Sequence, residues 1–220
     1  IQDVLDEKPH TIIIATGGIP NLELFETKKD LENVHTRWDI ISGDIKLSDN
    51  ILIYDEAGDH TGMQSAEIAI KEGSTVEFMT PDRLISSEIM GMNLTPYLKN
   101  LQDKKITYSI AKRLLDVSIK GNKLNALIGS DYDENFKYNS SYDQVFLNYG
   151  IKPLDELYFS LVPYSKNKGE VDYNKFINGD EQDIIKNDNN KFNLFRIGDA
   201  VSSRNIHAAI YDALRLVINL

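Results

Sequence analysis

The segment Thr11-Ile-Ile-Ile-Ala-Thr-Gly-Gly-Ile-Pro20 decides the fold class of this chain. Its β-branched run lacks polar alternation, which predicts a strand buried on both faces, and its glycines permit a sharp turn. A second apolar run, Phe195-Arg-Ile-Gly-Asp-Ala200, places the carboxylate of Asp199 where its strand ends. Because open α/β sheets bind ligands at the carboxyl ends of their strands, the two segments indicate a ligand site in an α/β fold.

Composition restricts the class of protein. The 220 residues are 41% hydrophobic and 26% charged, which suits one large or two small domains with a proper core. A net charge of −10 argues against nucleic acid or an anionic membrane as a partner. The absence of cysteine excludes disulfides, thiolate zinc sites and iron–sulfur ligation by these residues. No run reaches the roughly 18 apolar residues of a membrane span, so we expect a cytoplasmic protein.

A complete βαβ pattern lies between the two segments. Residues 50–54 and 75–79 read as strands, and residues 63–73 have apolar side chains at helical spacing. The loop between them, 55–62, would cradle a pyrophosphate if this region bound a pyridine nucleotide, because amides at a helix start favour anions. Counting back from its last glycine, however, Ala57 and Asp59 occupy positions where the dinucleotide fingerprint has glycine.

The chemistry of this loop makes NAD(P)H the less favoured ligand. Three carboxylates of residues 55–62 lie near the place that phosphates would occupy, and their repulsion weakens binding. After the following strand, Asp82 can meet a ribose hydroxyl, and Arg83 can meet a 2′-phosphate or lie on the surface. Gly58, Gly62 and Arg83 are therefore the candidate contacts of a nucleotide in this region.

Two motifs resemble those of a known group of flavoproteins. Ala15-Thr16-Gly17 and Gly198-Asp199 look like the A-T-G and G-D segments of flavoproteins with two dinucleotide-binding domains, in which the aspartate hydrogen-bonds the ribitol of FAD. The longer stretch 198–215 is similar to the C-terminal half of NADH:flavin oxidoreductases. Among these oxidoreductases, the stretch resembles the type that includes trimethylamine dehydrogenase, 2,4-dienoyl-CoA reductase and N-methyl-amino-acid demethylases. The resemblance implies a Rossmann-like, three-layer α/β fold with a small antiparallel β layer.

The resemblance also implies which residues contact the cofactor. Arg204 either contacts a cofactor phosphate or flanks an electron-transfer partner, or it pairs with a surface acid. A structural role remains open for Asp199, since aspartate often caps helices. Tyr211 and Leu214, at helical spacing, are expected in the core. The candidate contacts of FAD, or of ADP alone, are Ala15, Thr16, Gly17, Gly198, Asp199 and Arg204.

An internal similarity predicts the domain organisation. Residues 11–24 and 143–157 share a pattern of strand, glycine, proline and a turn with leucine. In the family such segments mark crossings between domains. We therefore expect residues 1–31 and 143–220 to form a partial FAD-binding domain, and residues 32–142 to form an inserted NAD(P)-type nucleotide-binding domain.

The resemblance finally implies a longer polypeptide. We expect this chain to be a fragment of a flavin-dependent oxidoreductase of amine dehydrogenase or demethylase type, inactive alone and without catalytic or metal-binding residues of its own. FMN, a 4Fe–4S cluster and an N-terminal barrel belong to the missing part, and an electron-transfer protein is a further expected partner. Two alternatives stay open: a non-catalytic ADP-binding or structural docking module, and a true NAD(P)H reductase domain.

Overall fold

The computed structural model describes residues 1–22 and 31–218, and these divide into two compact units. Unit 1 comprises Ile1–Ile19 and Ile151–Leu220, and unit 2 comprises Pro20–Gly150. The sequence predicts domain boundaries near residues 31 and 142. The end of the repeat 11–24 lies outside the described residues. The nucleotide-binding roles of the two units remain predictions.

The described elements are short strands and helices. The strands are β1 (Thr11–Ile14), β2 (Gly18–Pro20), β3 (Val34–Thr36), β4 (Asn50–Asp55), β5 (Thr75–Met79), β6 (Ile106–Ser109), β7 (Arg113–Lys120), β8 (Lys123–Gly129), β9 (Tyr138–Tyr142), β10 (Gln144–Asn148), β11 (Ile151–Pro153) and β12 (Asn193–Arg196). The helices are α1 (Gln2–Asp6), α2 (Arg37–Ser42), α3 (His60–Lys71), α4 (Gly91–Leu101), α5 (Glu156–Leu161), α6 (Tyr173–Asn178) and α7 (Ile206–Val217). Two 3₁₀ turns cover Val162–Tyr164 and Gly198–Ala200.

Unit 2 is a three-layer α/β sandwich. Its central sheet is parallel, with the strand order β3-β10-β4-β5-β6. One face, with Ile51 and Ile53, packs against Met63 and Ala66 of α3. The other face packs against the antiparallel sheet β7-β8-β9. The predicted α/β fold with a small antiparallel layer is confirmed, because β4 and β10 are apolar on both faces, as a covered parallel strand requires.

Unit 1 is built on a much smaller sheet. β1 pairs with β12 in parallel, with Ile14 opposite Arg196. Ile12 and Ile14 are buried against α5, whereas Thr11 and Ile13 are only half-buried. The expectation of a strand buried on both faces is therefore wrong for β1. A β-branched run predicts the strand, but its burial depends on the neighbours that the rest of the fold provides.

The helix α7 corrects another expectation. Tyr211 is 55% exposed and Leu214 is 51% exposed, so neither lies in the core of the described structure. Helical spacing identifies residues that share a face but does not say whether that face is covered. None of the helices in the described part of the chain combines the length and the apolar character that a bilayer crossing requires.

Candidate functional site

The two glycine segments meet at one edge of the sheet in unit 1. β1 and β12 are adjacent, parallel and in register at their carboxyl ends, and Ile197 donates its N–H to the carbonyl of Ile14 at 3.0 Å. Residues 15–17 and 198–199 directly follow these strand ends. The structure therefore brings together the residues that the sequence analysis assigned to a common ligand site, and the carboxyl edge of a parallel sheet is where α/β folds bind ligands.

The first segment leaves open space at this edge. Ala15 and Thr16 are exposed, and the Thr16 hydroxyl donates to the carbonyl of Leu154. Gly17 has φ of +75°, and a Cβ built on it would meet nothing within 4 Å. The positive φ requires glycine at this position, and the space beside Gly17 is free for a ligand.

The second segment is a tight turn that is fixed from behind. Gly198 has φ of +60° and lies against Ala209 of α7, with 3.3 Å between the two Cβ positions. Its N–H donates to Asp212 Oδ2 at 3.2 Å. Arg204 donates to both carboxylate oxygens of Asp212, and its predicted contact with a cofactor phosphate or an electron-transfer partner remains a prediction. Arg204 positions the turn, because it binds the Asp212 carboxylate that accepts the N–H of Gly198, the first residue of the turn.

Asp199 is the half-buried second residue of this turn. Its side chain makes one hydrogen bond among the described residues, accepting the N–H of Arg204 at 3.3 Å. Asp199 does not cap α7, because Asn205 does so through its Oδ1, which accepts from the N–H of Ala208. The Asp199 carboxylate therefore has acceptor capacity left at the edge that it shares with Gly17.

The loop between β4 and α3 in unit 2 is closed by its own side chains. Asp55 is fully buried, and its Oδ1 accepts the N–H of Gly58 at 3.1 Å. Asp59 caps α3 by accepting the N–H of Thr61 at 3.0 Å. Both carboxylates thus bind amides that a pyrophosphate would otherwise need.

Two further buried residues complete this cluster. Asn148, at the end of β10, donates through Nδ2 to Asp55 at 2.6 Å and to Asp59 at 3.1 Å. Arg37, at the start of α2 and 1% exposed, donates to Asn148 Oδ1 and to the carbonyl of Gly150. Arg37 Nη2 lies 3.9 Å from Asp59 Oδ2. We call these four side chains, Arg37, Asp55, Asp59 and Asn148, the loop cluster.

The electrostatics of the loop cluster are dominated by burial. Burial raises the pKa of Asp55 to about 7, and the negative charge of Asp59 adds to the rise. The hydrogen bond from Gly58 and the charge of Arg37 oppose it. Asp55 Oδ2 is buried and has no hydrogen-bond partner among the described residues, which is the position that a proton would occupy.

The two glycines of the loop face protein rather than open space. A Cβ on Gly58 would meet Ser87 Oγ at 2.7 Å, and Gly58 also has φ of +64°. A Cβ on Gly62 would meet Asp55 Oδ2 at 2.7 Å. Each glycine therefore allows another part of the same chain to approach closely. Their predicted contact with a nucleotide remains a prediction.

Arg83 lies apart from the loop cluster, in a cleft of about 530 Å³. The cleft is also lined by Arg113 and Tyr132. Arg113 is already paired with Glu56 and Asp131, whereas Arg83 makes no hydrogen bond or ion pair within the described residues. Arg83 is thus the cation of this cleft that is available to an anion.

No metal site is visible in the part of the chain that the structure describes, where no three His, Cys, Asp or Glu side chains form a suitable group. His60 is the first residue of α3 and is exposed, with Nδ1 3.3 Å from the hydroxyl of Tyr97. This contact joins two helices and gives no catalytic arrangement.

Three residues that shape the turn at Gly198 and the loop cluster were not predicted from the sequence: Arg37, Asn148 and Asp212. Asn148 carried a signal, since it ends a strand that is otherwise apolar, at the edge where ligands and polar clusters occur. Asp212 also carried one, as the single acid on an apolar helix. No local signal marks Arg37, because its burial depends on partners more than 100 residues away.

Comparison with known proteins gives extensive matches at the level of sequence. The chain is 50% identical over 211 residues to a probable N-methylproline demethylase of Rhizobium meliloti strain 1021, covering 96% of this chain and 31% of that protein. It is 31% identical over 222 residues to the N,N-dimethylglycine/sarcosine dehydrogenase of Chromohalobacter salexigens, covering 97% of this chain and 32% of that protein. No protein-family model matches the chain.

Solved structures match at the level of the fold. The 6-hydroxypseudooxynicotine amine oxidase of Pseudomonas geniculata N1 has a TM-score of 0.74 at 19% identity, over 100% of this chain and 30% of that one. Histamine dehydrogenase of Rhizobium sp. 4-9 has a TM-score of 0.69 at 17% identity, over 97% and 31%. Thioredoxin reductase of Lactococcus lactis has a TM-score of 0.61 at 16% identity, over 93% and 63%.

Proposed function

Because this chain is similar over nearly its whole length to demethylases and dehydrogenases of N-methylated amino acids and spans about a third of the relatives it matches, we propose that it is the nucleotide-binding part of a flavin-dependent oxidoreductase. These sequence matches confirm the family resemblance that the motifs indicate. The nucleotide is FAD, or ADP alone, and its site is the carboxyl edge of β1 and β12. The observation that carries the proposal is the meeting of residues 15–17 with residues 198–199 at that edge.

The residues at this edge fit a flavin nucleotide. Gly17 leaves open space beside the backbone, and Asp199 retains acceptor capacity for hydroxyl groups such as those of a ribitol chain. A hydrogen bond to an ionised carboxylate stabilises binding by about 1.5–3 kcal/mol. When bound, FAD supplies two-electron redox chemistry, and the residues of this chain hold and orient it. Arg204 and Gly198 shape the turn that presents Asp199.

The chemistry of the substrate belongs, in this proposal, to the rest of a longer polypeptide. The relatives act, by their names, on N-methylproline and on N,N-dimethylglycine or sarcosine. We extend this to an N-methylated amine as substrate of the full-length protein. FMN, a 4Fe–4S cluster and an electron-transfer partner remain expectations for that protein, and the cytoplasm remains its expected location.

An Asp199→Ala change in the full-length protein tests the site. We expect the affinity for FAD to fall by about 10- to 100-fold, because the charged hydrogen bond to the ribitol is removed, and the affinity for ADP, which has no ribitol, to stay unchanged. The matched control is Asp188→Ala, which removes an exposed carboxylate from the same unit. FAD content is measured by releasing the cofactors with acid and separating FAD from FMN by chromatography, and ADP affinity is measured by calorimetry. Unchanged FAD content in Asp199→Ala would refute the proposed site.

A second candidate function is a module that binds ADP without redox change. The closed loop cluster in unit 2 favours it over an NAD(P)H reductase domain, since the amide of Gly58 is already bound by Asp55. Titrating the full-length protein with NADH, with hydrogen exchange at residues 58–62 as the readout, separates the two. We expect no heat of binding from NADH and no protection of residues 58–62 from hydrogen exchange. Protection by NADH would establish the reductase, and ADP retained by a protein that holds no FAD would establish the ADP module.

A further inference from the structure

The outer face of α7 in unit 1 is apolar and uncovered. Every large apolar side chain on this face is between 48% and 72% exposed. They recur at helical spacing and form one contiguous stripe along the helix. We call this stripe the α7 face. Its members are Ile206, Ile210, Tyr211, Leu214, Val217 and Ile218.

The opposite face of α7 already anchors the helix. Asp212 is 6% exposed and pairs with Arg204, Leu216 is 4% exposed, and Ala209 packs on Gly198. The inward face therefore has Leu216 as its large apolar side chain beside a small and a charged one, and the outward face carries most of the large apolar side chains of the helix. This is the reverse of an ordinary surface helix, and a contiguous apolar patch of this kind marks an interaction surface.

The sheet of the same unit is also incomplete on one side. The outer edge of β12 is covered by Asn167, whose side-chain amide bonds both the N–H and the carbonyl of Leu194. Among the described residues, no strand pairs with the other edge of β1. Parallel sheets occur almost entirely with more strands and with both faces covered, so a two-stranded parallel pair calls for further structure.

We propose that the α7 face is an internal interface, which packs against a segment of the same polypeptide that lies outside these 220 residues. Three relatives match 96–100% of this chain, yet the chain spans only 31–32% of each of them. Such a segment is large enough to cover the helix and to extend the sheet at β1. A second copy related by a two-fold axis would place β1 antiparallel to itself and so would not continue the parallel sheet.

Cross-linking in the full-length protein tests this interface. A photoreactive benzoylphenylalanine replaces Ile210, and mass spectrometry identifies the peptide that it captures. The matched control position is Ile119, which is 58% exposed on β7 of unit 2. Light and heavy isotope forms of the protein are mixed, so that capture within one chain and between two chains give different masses. We expect Ile210 to capture peptides from outside residues 1–220 within one chain.

Footprinting with hydroxyl radicals gives an independent readout. Tyr211 and Tyr132 are similarly exposed here, at 55% and 61%. We expect Tyr211 to be oxidised several-fold less than Tyr132 in the full-length protein, whether or not a nucleotide is bound. Mixed light and heavy cross-links would instead assign the face to a second copy. Oxidation of Tyr211 equal to that of Tyr132, without capture at Ile210, would show that the face is free, and either result overturns the proposal.

Discussion

Asp55 and Asn148 lie opposite one another on neighbouring parallel strands, and Asn148 Nδ2 donates to Asp55 Oδ1 at 2.6 Å. Both residues are the last of their strands, so the contact sits at the carboxyl edge of the central sheet of unit 2. In a nucleotide-binding α/β domain this edge faces the ligand. Here it is filled by a hydrogen-bonded amide and carboxylate from the chain itself.

The first prediction concerns the pH dependence of stability. The pKa of Asp55 is about 7 in the folded protein and about 3.9 in an unfolded chain, so the folded state binds the proton more tightly. Stability should fall as pH rises from about 4 to about 7 and then level off. Asp55→Asn should remove this decline and raise stability at pH 8 by about 1–4 kcal/mol.

Urea unfolding followed through Trp38 measures this effect, because Trp38 is the single tryptophan of the chain and follows Arg37 in α2. The matched control is Glu134→Gln, which neutralises an exposed carboxylate of the same unit and should keep the wild-type slope. A wild-type stability that does not change between pH 4 and pH 7 would show that Asp55 is not protonated in the folded state.

The second prediction concerns Gly62. Replacing glycine by alanine inside a helix normally stabilises it by about 1 kcal/mol. At Gly62 the new Cβ would meet Asp55 Oδ2 at 2.7 Å, so Gly62→Ala should instead destabilise unit 2 by about 1–3 kcal/mol. The comparison is Gly91→Ala in α4, where a Cβ would meet nothing within 4 Å. Urea midpoints that rank Gly62→Ala at or above Gly91→Ala would contradict the close contact.

The third prediction concerns the turn that presents Asp199. Arg204→Met removes the partner of the buried Asp212 carboxylate and should loosen the amide of Gly198. Because the arginine side chain is 40% exposed, we expect a modest loss of about 1–2 kcal/mol. The measurement is hydrogen exchange at residues 198–204.

An ion pair in which both side chains are exposed serves as the control for the Arg204–Asp212 pair. Lys186 and Glu170 are about half exposed and 3.1 Å apart, so Lys186→Met should change stability by no more than about 0.5 kcal/mol. Equal protection of Gly198 in the wild type and in Arg204→Met would indicate that Asp212 holds the turn without its arginine.

The sequence predicts the architecture well because local patterns determine it. The βαβ pattern of residues 50–79 follows from the spacing of apolar side chains. The pairing of residues 15–17 with residues 198–199 also follows, because the carboxyl ends of neighbouring parallel strands meet at one edge. These features need no knowledge of distant contacts.

The remaining features depend on contacts that the local sequence does not encode. Asp55 reads as a carboxylate facing a ligand, yet it points into the protein because Asn148 and Arg37 arrive from elsewhere in the chain. Tyr211 and Leu214 read as core, yet their face is exposed. In both cases the pattern identifies an unusual residue, and only the tertiary neighbours decide what it contacts.

The last prediction concerns Asn167, which replaces a strand at the outer edge of β12. Its Nδ2 donates to the carbonyl of Leu194 at 2.8 Å, and its Oδ1 accepts the N–H of Leu194 at 2.9 Å. Asn167 is 1% exposed, so Asn167→Ala would leave two buried main-chain groups without partners. We expect a loss of about 2–6 kcal/mol, since each of the two unsatisfied buried groups costs about 1–3 kcal/mol. Hydrogen exchange at the Leu194 amide measures it directly.

The neighbouring Asn189 supplies the control for this change, because it is exposed and its side chain makes no hydrogen bond within the described residues. Asn189→Ala should leave the exchange of Leu194 unchanged. Asn167→Asp keeps the acceptor for the N–H of Leu194 but loses the donor to its carbonyl, so its damage should grow as pH rises and the carboxylate ionises. Slow exchange of Leu194 in Asn167→Ala would mean that the edge of β12 is protected by something other than this side chain.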